Sequence, residues 1–205
     1  VGITHTTASH LAMDAIADLL IAPLQPWDAL ICTSNAVAAT VAQVLDMQRE
    51  YLVARLGAQR VELPFLPVIP LGVHTGDFPH RPDARTRWRA QLGIAVQDIA
   101  VLQMGRLSFH AKAHPIPLFL ALESAAQTAG IRPHLIMAGW FANEGQERFF
   151  RDGAAQFAPS VTLHHVDGRD PAVRYDIWSA ADIFTLLADN VQETFGLAPV
   201  EAMAE

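Results

Sequence analysis

Ile99-Ala100-Val101-Leu102-Gln103-Met104-Gly105-Arg106-Leu107-Ser108-Phe109-His110-Ala111-Lys112 places an apolar run directly before a glycine and a loop carrying two cations. Short continuous apolar runs closed by glycine and polar residues read as buried strands. A strand therefore ends near residue 104 and a cationic loop begins. The alternation then continues with helix 115–129, strand 134–138, helix 144–157, strand 161–165, helix 171–180, strand 182–187 and a helix from about residue 197. Strands of this kind between helices predict an α/β chain with a parallel sheet covered on both faces, whose ligands bind beyond the C-terminal strand ends. Arg106, Gly139, residues 166–169 and Glu193 all follow predicted strand ends. Four loops are thus expected to converge on one edge of the sheet.

Upstream, residues 9–21 have helical spacing, Leu30 to Thr33 read as a buried strand, and Asn35 to about Leu56 form a long helix capped by Ser34 or Asn35. Pro64, Pro67, Pro70, Gly72, Gly76, Pro79 and Pro82 punctuate the next stretch, which reads as a semi-rigid linker. The expected organisation is a first domain over 1–63, a linker over 64–83 and a second domain over 84–205. Trp27, Trp88 and Trp178 are expected to pack, whereas Trp140, directly after Gly139 at a strand end, is a candidate pocket residue.

Composition bounds the function. With 51% hydrophobic and 17% charged residues the chain can bury a core. A net charge of -7 argues against a general nucleic-acid surface, so any anion site must be local. No apolar run approaches the roughly 18 to 20 residues that span a bilayer, and no transmembrane segment is expected. The single cysteine, Cys32, lies in an apolar run and reads as a buried, reduced thiol, which suits the cytoplasm; a peripheral membrane association is the alternative. Neither G-x-G-x-x-G nor a P-loop pattern occurs. His110 and His114 are four apart, but Pro115 argues against a helix presenting both to a metal, and His164 and His165 should point to opposite strand faces. Ser34 and Ser108 lack a nucleophile elbow and read as cap or loop residues.

Near the C-terminal end, Gln192-Glu193-Thr194-Phe195-Gly196-Leu197-Ala198-Pro199-Val200-Glu201-Ala202-Met203-Ala204 sets two glutamates eight positions apart around a glycine and a proline. A helix starting at Gly196 or Leu197 takes Pro199 in its first turn, and its free N–H groups face an incoming anion. Glu193 then lies in the loop and Glu201 on the helix. Carboxylates accept hydrogen bonds from neighbouring hydroxyls, so the pattern suits a ligand with phosphates and sugars.

Together these two segments resemble family 4 of the retaining glycosyltransferases, enzymes of the GT-B fold with two Rossmann-like domains. Pro67-Val68-Ile69-Pro70-Leu71-Gly72-Val73-His74-Thr75-Gly76-Asp77-Phe78 is similar to the family's interdomain element, and Leu135-Ile136-Met137-Ala138-Gly139 to its next strand-to-loop turn. The basic loop is one residue longer than the family's usual spacing between its arginine and lysine. Asn190 stands near the place where members often carry a serine. A chain that begins at Val1 without Met and stops at Glu205 is expected to be a fragment, holding the tail of the acceptor-side domain and an incomplete nucleotide-sugar-binding domain.

The resemblance implies a nucleotide-diphosphate sugar as donor and transfer with retention to an acceptor that the sequence does not identify. Arg106 and Lys112 would bind the diphosphate and stabilise the leaving group. The N–H groups of Phe195, Gly196 and Leu197 would assist, Gly139 would line the donor site, Glu201 would accept from the ribose, and Glu193 would hold the transferred sugar. His5 is a candidate for the histidine that faces the donor sugar in family members. No cofactor is expected, and no metal, because the chain lacks the Asp-x-Asp of the other large glycosyltransferase fold. The rival readings are another GT-B enzyme, such as an epimerase or phosphorylase, and a non-catalytic sugar-nucleotide-binding module.

Overall fold

The structure, a computed structural model, describes residues 1–7, 9–188 and 194–205. Two compact units divide between Gly72 and Val73; residues 194–196 group with the first and Leu197–Glu205 with the second.

In the first unit β1 (Gly2–Ile3) pairs in parallel with β2 (Leu30–Ile31), and bridges from Ala29 to Phe65 and Cys32 to Val68 add a third parallel segment. Between these strands run α1 (His10–Ala17), continued by a 3-10 turn over Asp18–Ile21, and α2 (Asn35–Leu56). Ser34 is the cap of α2, its Oγ accepting from Val37 N–H at 3.2 Å. Val37, Val41, Leu45 and Leu52 recur at helical spacing and bury against Cys32, Ile16 and Leu20. Cys32 is fully buried, and that burial pushes its thiol pKa up. Trp27 departs from expectation: it is 74% exposed. It sits in a tight turn closed by Asp28 N–H to Gln25 O and by Gln25 N–H to the Asp28 carboxylate, both at 2.9 Å, which leaves its side chain outside the core.

The second unit is built on a four-stranded parallel sheet in the order β5-β4-β3-β6, formed by β3 (Ala100–Met104), β4 (His134–Gly139), β5 (Thr162–Asp167) and β6 (Ile183–Phe184). Strand alternation sends Ala100, Leu102, Met104, Ile136 and Ala138 into one core with Trp88 and Trp178. Val101, Leu135 and Met137 face the other, with Phe119 of α4 (Ile116–Ala129) and Phe150 of α5 (Glu144–Phe157). Phe119 and Phe150 are almost wholly buried, each such ring being worth about 1.5–3 kcal/mol. Both faces are covered, as the sequence predicts. Ala198 and Ala202 of α7 (Leu197–Ala204) pack on the first core.

Several expected elements differ in extent. The helix over 171–180 is α6 (Pro171–Asp176) followed by a 3-10 turn, β5 runs on to Asp167, and β6 shrinks to a two-residue edge strand. His164 and His165 are therefore inside β5 rather than at its end. Within the stretch 64–83, Phe65 and Val68 bridge to the first unit's strands, and Phe78 is 3% exposed in the second unit's core. Its last residues open α3 (Pro82–Leu92), with Pro82 in the first turn. This helix docks by arginines as well as apolar residues. Arg85 and Arg89 reach Asp182 at 2.6 and 3.1 Å, and Arg89 Nη1 also donates to Ala180 O at 3.1 Å. Among the described residues no helix is long and apolar enough to cross a membrane.

Candidate functional site

The C-terminal ends of β3 and β4 approach so closely that only glycine fits. A Cβ on Gly139 would stand 1.9 Å from the Gly105 carbonyl oxygen, and the two strands stay hydrogen-bonded past their ends through Gly105 N–H to Ala138 O and Leu107 N–H to Trp140 O, each 3.0 Å. Arg106 and Trp140 thus leave neighbouring strand ends side by side in the backbone ladder. Arg106 is exposed, and Trp140 is 37% exposed.

Beyond Arg106 the loop is anchored from within. Leu107, Ser108, Ala111, Ala113 and Pro115 are buried, and Lys112 N–H donates to Ser108 O at 3.0 Å, closing a turn that presents a partly buried Lys112. His110 and His114 are not on a helix; both rings pack edge-on against aromatic neighbours. Among the described residues no group of three or more His, Cys, Asp or Glu is arranged to hold a metal ion.

At the end of β5, Asp167 and Arg169 form a paired fork, with Arg169 Nε and Nη2 donating to the carboxylate at 2.9 and 2.7 Å. Those hydrogen bonds pull the Asp167 pKa down to about 2. Gly168 N–H donates to Gly139 O at 3.2 Å, extending the same edge to a third strand.

Helix α7 begins at Leu197 directly after Gly196, whose φ of 80° lies in the left-handed region that glycine adopts without strain. Pro199 falls in its first turn, as expected. Glu201 sits one turn further on, its side chain 13% exposed, with Arg174 Nη2 of α6 at 3.8 Å from Oε1. Burial raises the Glu201 pKa, and Arg174 opposes the shift. Arg174 was not legible from the sequence, since nothing local signals a pairing between positions 174 and 201.

The remaining predicted residues are distributed differently. Phe195 and Gly196 group with the first unit, not with Leu197. There Thr194 Oγ1 donates to His5 O and Thr33 Oγ1 to Thr194 O, both at 3.4 Å, beside an exposed His5. Glu193 and Asn190 lie outside the described residues. In the second unit the structure therefore brings Arg106, Gly139 and Trp140 to one strand edge, with Lys112 in the same loop as Arg106 and Glu201 on a helix packed against one core of the sheet.

No family model matches the sequence. The D-inositol 3-phosphate glycosyltransferase of Nocardioides sp. is 31% identical over 147 residues, which is 67% of this chain and 31% of that protein. Among solved structures the chain is similar to Anabaena Alr3699/HepE in complex with UDP and glucose, with a TM-score of 0.67 and 17% identity over 99% of this chain and 50% of that one. A glycosyltransferase from Rickettsia africae ESF-5 gives a TM-score of 0.62 and 14% identity over 93% of this chain and 46% of that one. The chain spans about a third of the curated relative's length and half or less of these structures' length. The fold is α/β of the GT-B type.

Proposed function

We propose that the second unit is the nucleotide-sugar-binding half of a retaining family 4 glycosyltransferase, and that the first unit is the end of its acceptor-side domain. The observation that carries this reading is the strand edge itself. Arg106 directly follows Gly105, whose carbonyl makes the glycine-only contact with Gly139, and a mostly buried carboxylate, Glu201, stands on a helix packed on the same unit's core; both features support the reading. Structures of Alr3699/HepE with UDP and with UDP-glucose make a uridine nucleotide the first donor to try.

In this reading Arg106 and Lys112 bind the donor diphosphate and stabilise the charge that grows on it as the glycosidic bond breaks, which is electrostatic stabilisation of a leaving group. The N–H of Leu197 at the start of α7 adds dipolar stabilisation. Glu201 accepts from the ribose hydroxyls, and Glu193 from hydroxyls of the transferred sugar. Leaving group and acceptor share one face of the sugar, so retention needs no protein nucleophile. Two cations and a helix start take the charge-balancing role that a divalent ion would otherwise fill. Titration of the complete protein with UDP, followed by a transfer assay with UDP-glucose, tests the reading; Arg106→Ala and Glu201→Ala binding and turning over as well as wild type would refute it.

A further inference from the structure

Phe109 lies midway between Arg106 and Lys112 in the basic loop. It is 37% exposed, yet its ring is engaged: it packs on Phe149 of α5 with centroids 4.7 Å apart. His114, at the far end of the loop, closes on the same Phe149 ring edge-on at 5.5 Å. Phe149 meets the buried Phe150 at 6.3 Å, Phe150 meets Phe141 at 5.4 Å, and Phe141 lies 4.7 Å from the His165 ring, whose Nε2 is 3.2 Å from the Gly139 carbonyl oxygen. A continuous line of rings therefore runs from the cationic loop, through α5, to the glycine at the neighbouring strand end.

Arg106 is exposed and Lys112 partly buried, and fixing the loop that carries them before a ligand arrives removes conformational entropy from the binding step. The backbone bonds of Gly105 and Leu107 fix its start, and burial of Ala111 and Ala113 fixes its floor. Leu107 and Ser108 are buried beside the midpoint, and Phe109 adds the ring contact there. The turn closed by Lys112 N–H to Ser108 O spans Phe109.

We infer that Phe109, seated on Phe149, is a positioning residue that holds Arg106 and Lys112 in the geometry that receives a diphosphate. The inference rests on the donor-site reading above. It acts through the cations and needs no contact between Phe109 and the ligand.

The test uses the complete protein and, as probe, whichever of UDP, GDP and ADP the wild type binds most tightly in calorimetry. Phe109→Ala should weaken that affinity roughly tenfold, because a displaced charge loses its aligned hydrogen bonds. Phe109→Tyr should restore it to within about twofold, and the melting temperature of Phe109→Ala should drop by no more than about 4 °C, since the ring is partly exposed. In an Arg106→Ala background the same Phe109→Ala change should have less than about a twofold effect, the coupling expected when one residue acts through another. Equal losses in both backgrounds, or unchanged affinity in Phe109→Ala, would overturn the positioning role while leaving the donor site intact. An Arg106→Ala single variant with wild-type affinity would instead overturn the donor-site reading, and the positioning role with it.

Discussion

Glu201 of α7 and Arg174 of α6 face each other at 3.8 Å, the carboxylate mostly buried and the guanidinium mostly exposed. Burial raises the Glu201 pKa, and the cation holds part of that rise in check. The ionised carboxylate is thus kept available by a residue 27 positions earlier in the chain.

If ribose binding needs ionised Glu201, nucleotide affinity should be lost as pH falls through the raised folded pKa, at a higher pH than for an ordinary carboxylate. Arg174→Ala removes the opposing charge and should move that acid limb upward. The sign for stability is opposite: a carboxyl whose folded pKa is raised stabilises the fold as it protonates. UDP titrations across pH separate the two effects. Glu201→Ala should weaken binding by roughly 1.5–3 kcal/mol, the worth of charged hydrogen bonds; unchanged affinity would remove Glu201 from the site.

Arg106→Ala should act on rate more than on binding. Stabilisation that grows in the transition state is worth about 2.7–4 kcal/mol when a single donor is lost. Steady-state kinetics with UDP-glucose should therefore show a turnover number down by two to three orders of magnitude, on that same scale. Lys112→Ala should give an equal or smaller effect. A raised Michaelis constant with normal turnover would show that Arg106 only binds.

Transfer by the complete protein should persist in excess EDTA, because the proposed charge balance comes from Arg106, Lys112 and the start of α7 rather than from an ion. Loss of activity on chelation, with recovery on adding magnesium or manganese, would reassign the diphosphate to a metal site.

Arg89 is the structural counterpart to these variants. Its side chain is 6% exposed, it donates to Ala95 O and Asp98 O, and it pairs with Asp182. Arg89→Met should destabilise the second unit by about 3 kcal/mol, because buried acceptors lose their donor and Asp182 loses one of its two arginines. Burial pushes the Asp182 pKa up, but bonds from Ala100 N–H, Arg85 and Arg89 outweigh it and hold the group below the ordinary carboxylate range. That contribution is present above the unfolded carboxylate pKa and is lost as pH falls through the folded one. Denaturant melts of wild type and Arg89→Met at pH 7 and near pH 3 measure both effects.

What the sequence disclosed follows the range of the forces involved. Helix α2, with Ser34 as cap and apolar residues at helical spacing, is a local pattern, as are the buried strands β3 and β4, and all three lie where periodicity and capping put them. Helix α3 escaped because it docks largely through arginines, so apolar periodicity is weak and Pro82 read as one more linker proline. Trp27 escaped because large apolar side chains are usually buried, and only the turn from Gln25 to Asp28 explains its exposure. At the candidate site, a glycine ending a strand is visible in the chain at Gly139, but the Gly105 carbonyl that demands it is not. The split between Gly196 and Leu197, like the Arg174 partner of Glu201, arises from tertiary packing that no window of sequence contains.

The contact between Gly105 and Gly139 also divides the strand edge for anyone who would redesign it. Position 139 is closed to every side chain, since the smallest addition collides with a backbone oxygen rather than with a movable group. The next position is more open: Leu107 N–H donates to the backbone carbonyl of Trp140, and the partly exposed Trp140 ring can be exchanged without removing that bond. A library aimed at the proposed donor site therefore keeps 139 as glycine and varies 140, where diversity leaves the ladder's backbone bonds in place.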